Sequence, residues 1–141
     1  MAYIVKVEGR NAFELTQETV ETVKFVTDIP KDSNARARDT GATIIVTGKI
    51  RTAADGDLAD STLKAAKWSL IPAESADAYQ KVTVTTIAAG QVVRQITYPD
   101  AFVIDYKENF KDVAGVGQFT LTVRQKKDKL DQIQVEGGFA S

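Results

Sequence analysis

The chain has 141 residues, and its 18 Lys plus Arg against 19 Asp plus Glu leave a formal charge of −1. That length supports one sizeable core and not two, and the balanced charge offers no surplus to neutralise a phosphate backbone. There is no His and no Cys, which excludes Ser–His and Cys–His nucleophiles, cysteine zinc sites, His or Cys haem ligation and disulfides.

In chain order, Tyr3–Val7 and Val20–Thr27 read as strands, followed by the polar stretch Asp28–Gly41, the strand Thr43–Ile50 and a second polar stretch, Arg51–Asp60. Long polar connections in a small domain are usually functional, and these two are expected to extend from neighbouring ends of one supersecondary unit. A helix of about three turns follows, capped by Asp60 or Ser61 and stopped by Pro72, with Ala59, Leu63, Ala66 and Leu70 at helical spacing. Trp68 lies off that stripe, so it either packs in the core or faces a partner.

Tyr79–Ala89 and the run from Val92 to Tyr98 flank the short connection Ala89-Gly90-Gln91 as a hairpin. Pro99-Asp100 interrupts before the Ala101–Tyr106 strand, at a place where a bulge, bend or edge would tolerate the missing donor. Gly115-Val116-Gly117 turns the chain into the strongest signal of all, Gln118–Lys126, where Phe119, Leu121 and Val123 alternate with polar residues. Ile133–Glu136 adds a last strand. The expected class is mainly β, an antiparallel β-barrel or two-sheet sandwich with one short α-helix, forming a single domain over residues 1–141.

Candidate chemistry is sparse. Ser61-Thr62-Leu63-Lys64 matches S-x-x-K, but its companion elements S-D-N and K-T-G are missing and Ser61 serves more simply as a cap. Asp55, Asp57 and Asp60 lack the remaining ligands of a calcium loop, so a solvated turn around Gly56 is expected. Glu18 with Glu21, or Asp105 with Glu108, are read as surface charge, and Gly115-x-Gly117 as a turn with no phosphate-binding sequence after it. Arg36 with Arg38, and Lys126, Lys127 and Lys129, could meet anions or acidic protein patches. No cofactor, metal, enzymatic activity or sequence-specific nucleic-acid binding is expected. Apolar runs such as Ala101–Ile104 are far too short to span a bilayer, and the start of the chain shows no cleavable signal pattern.

Residues Thr62 to Phe139, especially TLKAAKWSLIPAESADAYQKVTV, VVRQITYPDAFVIDYKENF, GVGQFTLTVRQKKDKL and the closing VEGGF, resemble a Gram-positive family often labelled membrane-associated protease. That family in turn looks like the haemolysin-coregulated tube protein of type VI secretion and the tail-tube proteins of contractile phages. The resemblance implies hexameric rings that stack into a hollow tube, with a loop after an early strand reaching the next ring. Carried onto this chain, it makes Lys31, Asp32, Arg36, Arg38, Asp39, Asp55 and Asp57 stacking candidates, and Trp68, Lys126, Lys127 and Phe139 subunit-interface candidates. The protease label finds no support, because the chain has no His, no Cys and so no H-E-x-x-H.

A mainly antiparallel sheet must close or leave open edges, and controlled pairing with copies of itself is one answer. Together with that answer, the resemblance implies a tube subunit of a contractile injection apparatus, synthesised in the cytoplasm and assembled into a phage-like particle or injection apparatus. Its partners would be itself and sheath, baseplate or cargo proteins, without membrane insertion. The alternative is a monomeric β-sandwich that binds a peptide, glycan or anion.

Overall fold

Alternation decides the architecture. The computed structural model describes residues 1–28, 41–51, 61–112 and 117–138. Its strands are β1 (Ala2–Glu8), β2 (Phe13–Leu15), β3 (Val20–Asp28), β4 (Gly41–Ile50), β5 (Gln80–Ala88), β6 (Gln91–Phe110), β7 (Gly117–Gln125) and β8 (Gln134–Gly137). The helix α1 spans Ser61–Ser69, and short 3-10 turns cover Ala76–Ala78 and Lys127–Gln132. All described strands join one antiparallel sheet in the order β2-β1-β5-β6-β7-β4-β3, with β8 paired to β6. The sheet is bent around a core that every long strand feeds from alternate positions: Val5 and Val7, Ile44 and Val46, Val82 and Val84, Phe119 and Leu121 are all buried.

The bend lies in β6. This strand runs 20 residues straight through Pro99, where the sequence suggested two separate strands. Tyr98 pairs with Val82 and Ala101 with Gln80, so Pro99 and Asp100 stand opposite the single residue Lys81. That extra residue is a bulge, and it removes the need for an amide hydrogen at Pro99. The bulge is held from the other side: the Asp100 N–H donates to Gln125 Oε1 at 3.0 Å, and the Lys126 N–H donates to the Asp100 carbonyl at 2.9 Å. The β5–β6 hairpin closes through Ala89 and Gly90, both with positive φ (53° and 75°), as a two-residue turn matched to sheet twist requires.

α1 packs against β2 and β6 with a face the sequence pattern did not indicate. Its buried residues are Ser61, Thr62, Ala65 and Trp68, whereas Leu63 is 45% and Leu70 81% exposed. The indole sets this rotation. Trp68 is 1% exposed, its ring meets Phe13 edge-on at 6.1 Å between centroids, and its Nε1–H donates to the Ala78 carbonyl at 2.8 Å. A large ring with a receptor for its one polar atom gains more from burial than the leucines do. The Leu70 N–H to Lys67 and Ile71 N–H to Trp68 bonds then tighten the last turn before Pro72 ends it.

Candidate assembly surface

The partners of β6 define two edges that stay open. Ala101 pairs with Gln80 of β5 and also with Gln125 of β7, so β5 and β7 lie on opposite sides of β6. Arg94 to Thr97 pair with β5 and also with β8, which puts β8 on the same side as β7. Past Ala101 β5 ends, and no strand among the described residues occupies that side of β6 from Phe102 to Phe110. At the far end of the sheet, the nine-residue β3 pairs, among the described strands, only with β4, and β1 runs alongside part of it without a hydrogen-bonded register. The remaining edge strands are short: β2 has three residues and β8 four.

Between the open edges lies a four-stranded wall, β3-β4-β7-β6. Each step is antiparallel, and three steps make β3 antiparallel to the second half of β6. One face of the wall is core. The other is polar and falls into rungs: Val26–Thr43–Arg124–Phe102, Lys24–Ile45–Thr122–Asp105, Thr22–Thr47–Thr120–Lys107, and Lys49–Gln118–Asn109. The hydroxyls of Thr22 and Thr47 bond to one another across the strands. Arg124 Nε donates to Thr43 Oγ1 at 3.2 Å, and Lys107 Nζ lies 3.5 Å from Asp105 Oδ2.

On the other face of the same stretch of β6, the Tyr106 hydroxyl donates to Glu108 Oε1 at 2.8 Å and sits 3.4 Å from the Thr62 carbonyl of α1. Asp105 and Glu108 therefore occupy opposite faces and do not act as a carboxylate pair. Two apolar side chains stand out along this edge: Ile104, the unpaired residue of a second bulge, is 46% exposed, and Phe110 is 66% exposed.

The connections enter this wall from its two ends. Residues 29–40 leave from Asp28 and return at Gly41, whereas residues 52–60 depart beyond Ile50. β4 has 10 residues, which at about 3.3 Å each puts the two attachment points roughly 30 Å apart, at opposite ends of the wall and not at neighbouring ones.

Lys31, Asp32, Arg36, Arg38, Asp39, Asp55, Asp57 and Phe139 lie outside the described residues. Trp68 makes its contacts inside the subunit. Lys126 is half-buried with its Nζ 5.2 Å from the centre of the Tyr79 ring, and Lys127 is exposed. Ser61 is buried at the first position of α1, while Lys64 is exposed. Among the described residues no group of three His, Cys, Asp or Glu could hold a metal ion, and no helix is long and apolar enough to cross a membrane. The Glu18 carboxyl is drawn below the usual carboxylate range by its own backbone N–H, with Thr16 and Gln17 adding to it.

No family model and no curated protein matches the chain. Solved structures do. Hcp1 from Flavobacterium johnsoniae superposes with a TM-score of 0.60 at 17% identity, covering 98% of this chain and 97% of that one. The Hcp1 protein of E. coli EAEC 042 gives 0.62 at 8% identity, covering 97% and 99%. A chain of the anti-feeding prophage baseplate, a six-fold symmetrised structure, gives 0.56 at 12% identity, covering 99% and 95%. The chain therefore has the fold shared by the Hcp1 proteins and a component of a prophage-derived particle, along its whole length.

Proposed function

We propose that this chain is a structural subunit that self-assembles into hexameric rings, stacked into the inner tube of a phage-tail-like contractile injection or secretion apparatus. One observation carries the reading: the four-stranded wall ends on two long open edges that run antiparallel to each other. A rotated copy then presents its β3 to the second half of β6 with strand alternation preserved. Because the wall has an even number of strands, any number of copies can continue it, and closure removes every wall edge. The short β2 and β8 on the other layer offer no comparable seam. The sixfold count is supported by the symmetry of the baseplate in which one similar chain sits.

In such a ring the rungs of Thr22, Lys24, Lys49, Thr120 and Lys107 line the bore, and α1 lies off the wall on its core side. Residues 29–40 and 52–60, entering from opposite ends of β4, would carry contacts to the rings on either side. Sheath, baseplate and cargo proteins are the further partners, in a particle assembled after cytoplasmic synthesis. The chain acts as a single tube-protein-like domain over residues 1–141, by association and not by catalysis. Size-exclusion chromatography with light scattering and negative-stain microscopy test this: rings, or tubes built of rings, are expected. A monodisperse monomer at high concentration across several salt conditions overturns it.

A further inference from the structure

We propose that the polar face of the β3-β4-β7-β6 wall binds acidic polypeptide, with Lys24 and Lys49 as its principal contacts. Copies of the face converge on one occupant only when the wall lines a bore, so this inference rests on the ring reading and adds the chemistry of what passes through it.

The charge is segregated. The whole chain carries −1, yet the described rungs of this face hold Lys24, Lys49, Lys107 and Arg124 against Asp105 and, in the Asp28–Gly41 pair at the end of β3, Asp28. Glu21 is the extra residue of the β3 bulge and has no rung of its own. Lys107 is matched by Asp105, and Arg124 is engaged by Thr43. Lys24 and Lys49 are exposed and have no carboxylate partner among the described residues. Lys24 pairs with Ile45, which stands about 13 Å along β4 from Lys49, the span of four residues of extended chain. Carboxylates spaced that way on an extended polypeptide can reach both ammonium groups.

Thr22, Thr47, Thr120 and Thr122 fill the ground between them with hydroxyls that both donate and accept, as peptide groups require. Around a ring each cation is repeated in every subunit, and repeated weak pairing gives avidity without any deep pocket. Single-stranded nucleic acid fits less well, because it needs aromatic platforms and the described rungs offer only a half-buried Phe102.

The test uses the assembled protein with fluorescent poly-L-glutamate, poly-L-lysine and an oligo-dT strand as probes, and sizing chromatography on every sample. Wild type should bind poly-L-glutamate and not poly-L-lysine. Lys49→Glu, on an interior strand of the wall, should keep the oligomer and weaken poly-L-glutamate binding by about tenfold or more, and Lys24→Gln should weaken it by a smaller factor. Unchanged affinity in both variants, or oligo-dT binding as tight as poly-L-glutamate, overturns the proposal. A sample that stays monomeric yet loses poly-L-glutamate binding with Lys49→Glu refutes the ring while supporting the chemistry of the face.

Discussion

The carboxamide of Gln125 reaches across from β7 to receive the backbone N–H of Asp100 at 3.0 Å, and its Nε2 donates to the Lys129 carbonyl at 2.8 Å. One buried side chain thus braces the bulge where β6 leaves β5 and the turn that returns the chain to β8. Gln125→Leu keeps the volume and strands both backbone groups. The expected cost is about 1–3 kcal/mol in urea unfolding, because an unpaired buried group forfeits its solvation. Amide exchange should show the loss first at Asp100 and Lys126. Wild-type stability with unchanged exchange there would remove Gln125 from this role.

Tyr98 supplies the pH dependence. It is fully buried, its ring packs edge-on against Phe25 at 6.3 Å, and its hydroxyl has no hydrogen-bond partner among the described residues. Burial pushes the phenol above its ordinary value, opposed only weakly by the Arg124 guanidinium. Below about pH 10 the hydroxyl is protonated in folded and unfolded chains alike. Above it the unfolded chain releases the proton while the folded one retains it, so stability falls as pH rises. Tyr98→Phe should flatten that alkaline decline, and at neutral pH it should be neutral or stabilising by up to about 1 kcal/mol, since it deletes an unsatisfied polar atom. Urea midpoints for both proteins at neutral pH and near pH 11 decide it; parallel alkaline slopes would contradict the assignment.

Gly48 permits the crossing of β4 under the start of β3. A methyl group there would sit 2.1 Å from the Thr19 carbonyl oxygen and 2.9 Å from the Phe119 ring, and Thr19 O already receives the Lys49 N–H at 2.8 Å. Backbone cannot yield as a flexible side chain does. Gly48→Ala should therefore destabilise by roughly 2 kcal/mol or more despite its better intrinsic conformational entropy. A thermal midpoint equal to wild type would show that the β3 bulge absorbs the methyl.

Much of this architecture is readable where period two is unbroken. Phe119, Leu121 and Val123 announce β7, and Val82 and Val84 with the Ala89-Gly90 turn announce the hairpin. β2 escapes because Phe13–Leu15 is too short to show a period, and its strand state depends on Val5 and Val7 opposite. The helix face misleads because leucine spacing is a local signal, whereas the pocket for Trp68 is built by Phe13 and Ala78, distant in sequence or beyond the helix. The continuity of β6 through Pro99 depends on Gln125, 25 residues beyond Asp100. Above all, an open edge is a statement about missing partners. Nothing local to Phe102–Phe110 reveals that β5 stops short of it, so the assembly surface becomes visible only once the pairing is known.

That edge is also where assembly can be broken without unfolding the subunit. Ile104 and Phe110 are exposed apolar side chains on the open stretch of β6, and neither belongs to the buried core. Natural edge strands that must not pair carry lysines, which would have to be desolvated in a seam. Ile104→Lys with Phe110→Lys should therefore leave the monomer within about 1 kcal/mol of wild type, as exposed substitutions usually do, while shifting the oligomer to monomer in sizing chromatography. Phe119→Asp makes the contrasting control, because Phe119 is 2% exposed and its charge would enter the core, unfolding the chain. Intact rings from the doubly substituted, folded protein would show that the seam does not run along this half of β6, and would shift the search to the outer layer ended by β2 and β8.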